Sequence, residues 1–473
     1  VGQVVGDHRD PIPILRVEGE DLISRRPLLH EVHPLRPSAA PRRSRLARTA
    51  IRASDLLIRT GLVSVELDPQ SLIREARRRT GLEDLGDGFS SQGLERLLHA
   101  YESEARLHAI GRIAARRDIV SLLSNRMQVV EDARRHPGIA QQEIRHPVFI
   151  VGLPRTGTTF LHRLLAQDPA HRAPRTWEIL RPDFPREETP RRRSARIART
   201  DRELRQLDRL APAFRRIHLV GADLPEECIA IMAHGFVSDR FPAMFRLPSY
   251  RAWLDRQDLR PAYEDHRRFL QHLQWRRGGR RWLLKAPAHL LALDDLLAVY
   301  PDAWIVQTHR DPVRVLASLA SLIATLHGAF SDLVDPAEIG RDVSARWAEA
   351  LRRSIEVRAH AREDRFVDVH YQQLLRDPMA VVRRLYERMG ETLAPDVERS
   401  MQRFVAENRP NRFGRHRYRL SSFALDADTE RRRFARYREH FRVVDEMEET
   451  RSGEGGRHSL VSSRSRATPA GSP

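Results

Sequence analysis

Pro147-Val148-Phe149-Ile150-Val151, then Gly152-Leu153-Pro154-Arg155-Thr156-Gly157-Thr158-Thr159, then Phe160-Leu161-His162-Arg163-Leu164-Leu165 follow one another without a break. The first five residues are a short apolar run with β-branched members, which reads as a buried strand. The next eight form a loop, and the last six open an amphipathic helix that ends near Asp168-Pro169. A glycine-containing loop between a strand and a helix is suited to an anion: the backbone curls so that successive N–H groups point at one centre, and the helix start adds partial positive charge. Thr156, Thr158 and Thr159 add hydroxyl donors. The spacing nearly fits the triphosphate loop G-x-x-x-x-G-K-[ST], but Thr158 stands where the lysine that reaches the β- and γ-phosphates belongs. A loop that grips a single 5′-phosphate without a metal needs no such lysine.

Outward from this loop the pattern alternates. Arg281-Trp282-Leu283-Leu284-Lys285 is a second buried strand, just after the turn Gly278-Gly279. Ala303 to Thr308 is a third, followed by a helix from about Val313 to Leu326. Arg365 to Val369 is a fourth, followed by a helix from Met379 to Met389. Strands alternating with helices predict an α/β fold: a P-loop-like parallel sheet flanked by helices. Upstream, Leu94, Leu98, Tyr101, Ala105 and Ala109 recur at three- and four-residue steps, so residues 49–145 read as a helical N-terminal extension. Residues 146–450 then carry the catalytic domain. Residues 1–48, rich in Pro and Arg, and 451–473, rich in Ser, Arg and Gly, read as a disordered leader and tail.

Composition narrows the function classes. Of 82 basic residues only Lys285 is lysine, and the formal charge is +18. The arginines are spread along the chain among 64 acids rather than gathered in one stripe, which reads as a solvated surface and not as a nucleic-acid footprint. Cys228 is the only cysteine, so an internal disulfide and a cysteine-based metal site are excluded. No run approaches the roughly 18 uninterrupted apolar residues of a membrane span, and residues 1–13 lack the layout of a secretory signal. The expected location is the cytoplasm.

Pro154-Arg155-Thr156-Gly157-Thr158-Thr159 resembles the 5′-phosphosulfate loop of the sulfotransferases that use 3′-phosphoadenosine-5′-phosphosulfate (PAPS). The match is to a large bacterial branch whose loop reads Gly-Leu-Pro-Arg-Thr-Gly-Thr-Thr. The resemblance extends roughly from Leu67 to Arg442 and implies a sulfuryl transfer to a hydroxyl acceptor, with PAPS as co-substrate and no metal. It implies that Arg155 contacts the 5′-phosphate, where animal cytosolic members carry lysine. Arg310 and Ser318, eight residues later, would hold the 3′-phosphate, a contact suited to a forked guanidinium. Gly414 and Arg415 would belong to a C-terminal loop that covers it. Leu284-Lys285-Ala286-Pro287-Ala288-His289 is similar to the branch's Leu-Lys-x-Pro-x-His, and Pro225-Glu226-Glu227-Cys228 to its acidic pair.

An alcohol is a poor nucleophile until its proton begins to leave, so a general base is required. Glu226, Glu227 and His289 are the candidates, and the sequence does not choose among them. Lys285, placed at the carboxyl end of a strand where ligands of open α/β sheets bind, is the candidate for direct action on the transferring group. Two other readings stand beside this one: a P-loop kinase with a small hydroxyl substrate, which requires magnesium, and a basic nucleic-acid-binding protein, whose binding falls steeply with salt. Trp177, Phe236, Phe241, Phe245, Tyr250 and Trp253 either line an apolar acceptor pocket, for a small-molecule or lipid hydroxyl, or form helix core. Oligomeric state is not legible.

Overall fold

The fold is described from a computed structural model over residues 60, 65–183, 189–210, 221–275, 281–408 and 419–446. The leader, the tail, Gly414 and Arg415 lie outside these residues. Five strands, β1 (Val148–Gly152), β2 (His171–Arg172), β3 (Arg281–Lys285), β4 (Trp304–His309) and β5 (Phe366–His370), form one sheet in the order β2-β3-β1-β4-β5. Every pairing is parallel, and Val148 of β1 sits between Leu283 of β3 and Trp304 of β4. β1 and β4 are buried along their whole length, as expected of a parallel sheet covered on both faces.

Successive strand residues point to opposite faces. Phe149, Val151, Leu284 and Ile305 face one core, while Val148, Ile150, Leu283 and Val306 face another. A third core gathers the N-terminal helices α1 (Pro69–Thr80), α2 (Ser91–Ser103) and α3 (Ala109–Arg135) around the segment 233–254. α1 shows how local sequence fixes these elements. The Asp68 side chain accepts from the Ser71 N–H at 2.7 Å, Pro69 fills the first turn, and Gly81 ends the helix at φ 69°. The second core is closed by α4 (Thr158–Leu165), and the first by α5 (Arg260–Gln274), α6 (Pro312–Phe330) and α7 (Pro336–His360).

Three findings depart from the sequence reading. The helical N-terminal region is divided within the periodic run through Leu94, Leu98, Tyr101, Ala105 and Ala109, a break that the spacing did not show. α2 stops at Ser103, Arg106 takes φ 50°, and α3 begins afresh with the His108 ring accepting from the Gly111 N–H at 3.0 Å. The spacing carried across the break because Ala105 and Ala109 are also buried. Second, β2 gave no pattern, being two polar residues long; the Arg172 guanidinium lies 4.5 Å from the Trp282 ring on the neighbouring strand. Third, α6 is long and apolar enough to cross a membrane by length and composition alone. Its Val315, Leu316, Leu319 and Ala320 instead pack in the core of this fold. The two readings left open for the aromatic residues resolve to core: Trp177, Phe236, Phe241, Phe245, Tyr250 and Trp253 are all buried.

Candidate active site

The loop after β1 is shaped by contacts that only certain residues permit. Gly152 has φ 134°, and a Cβ there would lie 2.3 Å from Thr308 Oγ1 on β4. Gly157 has φ 91°, and its Cβ would meet Leu374 at 2.8 Å. Between them Arg155 adopts φ 70°, a left-handed conformation that costs a non-glycine residue about 1–2 kcal/mol and is held where surrounding structure over-determines it. Thr156 supplies part of that constraint. Its hydroxyl donates to the Leu153 carbonyl at 2.6 Å, lies 2.6 Å from Thr308 Oγ1, and is wholly buried. The residue therefore braces the loop, where the sequence reading had it as a ligand donor. Thr158 is buried at the start of α4, whereas Thr159 is exposed. Gly157 caps α4 without a side chain, which leaves the first-turn N–H groups directed at the loop.

Arg155 is brought together here with Arg310 and Ser318, which lie more than 150 residues further along the chain. Arg155 Nε donates to Ser318 Oγ at 3.3 Å, and Arg310 Nη1 donates to the Arg155 carbonyl at 2.9 Å. The Arg310 guanidinium lies 3.9 Å from the centre of the Tyr371 ring, which follows directly on β5. Its Nε and Nη2 donate to the two carboxylate oxygens of Glu446 at 2.9 and 3.0 Å. Neither Tyr371 nor Glu446 was found by sequence reasoning. Tyr371 had a usable signal, since it stands at the carboxyl end of a strand.

On the other side of the loop, Lys285 ends β3 with its side chain only 2% exposed. Its ammonium donates to a Glu227 carboxylate oxygen and lies 3.4 Å from Thr159 Oγ1. Glu227 is positioned at the start of the short helix Cys228–Met232. Glu226 is committed elsewhere: one oxygen accepts from the Thr176 hydroxyl at 3.0 Å and the other from the Glu227 N–H at 2.9 Å. Of the acidic pair, Glu227 is thus the one that faces Lys285.

His289 is placed differently. Its ring packs against Phe149, with centroids 5.2 Å apart, in the core on the sheet face opposite the one to which Lys285 points. Its Nδ1 is hydrogen-bonded to the Tyr263 hydroxyl at 2.8 Å, and burial holds its pKa well below the ordinary histidine value. The structure does not bring His289 together with Lys285 and Glu227. Beneath Lys285, His162 is hydrogen-bonded to the Leu283 carbonyl at 3.1 Å, and burial, with the Lys285 charge, lowers its pKa to about 3.

The site thus presents two cationic centres on either side of a glycine-bent loop, with one carboxylate at the second. Residues 147–396, just over half of the chain, match the model of the sulfotransferase family. The chain belongs to that family. It is 30% identical over 258 residues to omega-hydroxy-beta-dihydromenaquinone-9 sulfotransferase Stf3 of Mycobacterium bovis, covering 52% of this chain and 62% of that relative. The chain therefore spans about three-fifths of the length of the curated relatives it matches. Among solved structures, sulfotransferase STF1 of Mycobacterium tuberculosis aligns with a TM-score of 0.69 at 33% identity, covering 78% of this chain and 98% of that one. STF9 of Mycobacterium avium aligns with a TM-score of 0.70 at 28% identity, over 80% and 98%.

Proposed function

We propose that this protein transfers the sulfuryl group of PAPS to a hydroxyl acceptor by metal-free, in-line displacement, in the cytoplasm. The observation that carries the reading is the convergence of Arg155, Ser318 and Arg310 beside the glycine-bent loop. PAPS carries a 5′-phosphosulfate and a 3′-phosphate, and the residues fit both. The loop N–H groups with Arg155 suit the first, and Arg310 with Ser318 suits the second, since a guanidinium fork matches phosphate oxygens. The backbone at Gly157, where a Cβ would already collide with Leu374, keeps the approach to the loop narrow and free of side chain.

PAPS supplies an activated sulfur atom; the chain's residues do the rest. Glu227 accepts the acceptor's proton as the acceptor oxygen bonds to sulfur. Arg155 and Lys285 hold the negative charge that grows on the bridging oxygen as the sulfur–oxygen bond to the 5′-phosphate breaks. Lys285 also keeps the Glu227 carboxylate oriented beforehand. His289 takes no part in this scheme. The relative named for an omega-hydroxy dihydromenaquinone supports an acceptor that is a lipid-type alcohol.

The test is calorimetry of Arg310→Ala with 3′-phosphoadenosine 5′-phosphate (PAP) and with adenosine 5′-phosphosulfate. PAP should bind about 2–3 kcal/mol more weakly, the worth of a charge-assisted pair near the surface, while the ligand without a 3′-phosphate is unaffected. Equal losses for both ligands would overturn the assignment.

A further inference from the structure

Glu446 is held against the candidate 3′-phosphate site by more than its own side chain. Phe441 stacks on His309, with centroids 4.3 Å apart, and Val443 is buried in the sheet core. Asp445 accepts from Arg431 Nε at 3.3 Å and Arg438 Nη2 at 3.1 Å, and the Glu446 N–H donates to Asp311 Oδ2 at 3.3 Å. The segment leading to Glu446 is therefore held by packing and by hydrogen bonds. From there the carboxylate makes a two-oxygen contact with the Arg310 fork, with the Glu446 side chain 10% exposed.

A forked guanidinium binds a carboxylate and a phosphate through the same paired geometry. Arg310 cannot give Nε and Nη2 fully to both. We propose that Glu446 is an internal stand-in for the 3′-phosphate: it occupies Arg310 in the free protein and must rotate away when a 3′-phosphorylated nucleotide binds. This rests on the reading of Arg310 as the 3′-phosphate contact. Because the segment is held in this way, the exchange requires side-chain rotation and no movement of the segment. A phosphate near neutral pH carries more charge than one carboxylate and wins the exchange, but its net gain is the difference between two charge-assisted pairs. Glu446 thereby sets donor affinity below what Arg310 would otherwise provide, and speeds departure of the 3′-phosphorylated product. It also keeps the guanidinium paired whenever no nucleotide is present, so the site does not depend on ligand for its shape.

The experiment is titration of PAP and of AMP, which lacks the 3′-phosphate, into the wild type, Glu446→Gln, Glu446→Asp, Arg310→Ala and the Arg310→Ala/Glu446→Gln double variant. Glu446→Gln should bind PAP about tenfold more tightly and AMP as before. Glu446→Asp, which keeps the charge but falls short of the fork, should move PAP affinity in the same direction by a smaller factor, and serves if the glutamine variant folds poorly. In the Arg310→Ala background the Glu446 change should raise PAP affinity by a smaller factor than in the wild type, through lost charge repulsion alone, and leave AMP unchanged. Unchanged or weaker PAP binding in Glu446→Gln, with a loss selective for PAP in Arg310→Ala, overturns the proposal and makes Glu446 a residue that positions Arg310. Equal losses of PAP and AMP in Arg310→Ala overturn the 3′-phosphate site itself, and this proposal with it.

Discussion

Replacing Lys285 with methionine keeps most of the side-chain volume and removes the charge, which isolates the worth of the Lys285–Glu227 pair. The lysine is 2% exposed and the glutamate 16%, so the substitution strands a carboxylate with little access to water. Breaking a buried pair by removing one partner costs about 3–5 kcal/mol. The residual exposure of Glu227 puts the expected loss at the lower end, about 3 kcal/mol. Adding Glu227→Gln removes the stranded charge and should recover about 2 kcal/mol, so the two substitutions couple strongly in a double-mutant cycle. Lys285→Arg keeps the charge but spreads it over a wider, planar group. Its turnover should fall about tenfold or more, equal to roughly 1.4 kcal/mol, with PAP affinity nearly intact. The assays are chemical unfolding of the four cycle members, and single-turnover transfer from labelled PAPS for the arginine variant. A Lys285→Met protein as stable as the parent, or no recovery from Glu227→Gln, would refute the pairing as a buried unit. Transfer by Lys285→Arg at the parent rate would refute the role in chemistry.

Turnover should survive excess EDTA, because Arg155 and Lys285 are placed to neutralise charge and Thr158 stands where a triphosphate loop has lysine; loss of activity restored by magnesium would refute this. Stability should fall as the pH drops below 6.5. Burial depresses His162 and His266 to about 3 and His234 and His327 to about 4, so the unfolded chain takes up protons before the folded one does. Stability is fully present above pH 6.5, and each histidine removes about 1.4 kcal/mol per pH unit on the way down to its folded value. Melting measured from pH 7.5 to 5 checks this, and a flat profile would refute it.

The parts of the fold that were legible carry their own period. β1, β3, β4 and β5 are mostly apolar runs, β1 and β4 buried throughout, and each was placed within one residue. β2 was invisible because two residues cannot display a period, and its place depends on Trp282 of another strand. The break between α2 and α3 was hidden because burial continued through Ala105 and Ala109 while the backbone did not. In the site, Arg155, Ser318 and Arg310 were named from the family resemblance, and the fold brings them together. Glu446 was not named, since it meets Arg310 across 136 residues of chain and only the packing of Phe441 and Val443 puts it there. His289, four residues beyond Lys285, packs on Phe149 and meets the Tyr263 hydroxyl, and nearness in sequence did not show which groups it would meet.

The third core, shared between α1–α3 and the segment 233–254, bears on how this protein can be dissected. A fragment cut at residue 146 to isolate the sheet would bare Phe236, Phe241, Phe245 and Tyr250, which the upstream helices cover. An apolar face of that kind drives aggregation. It would also loosen the chain immediately after the helix that starts at Glu227. The smallest fragment that stays soluble and keeps Glu227 beside Lys285 should therefore begin near residue 65, well before the first strand.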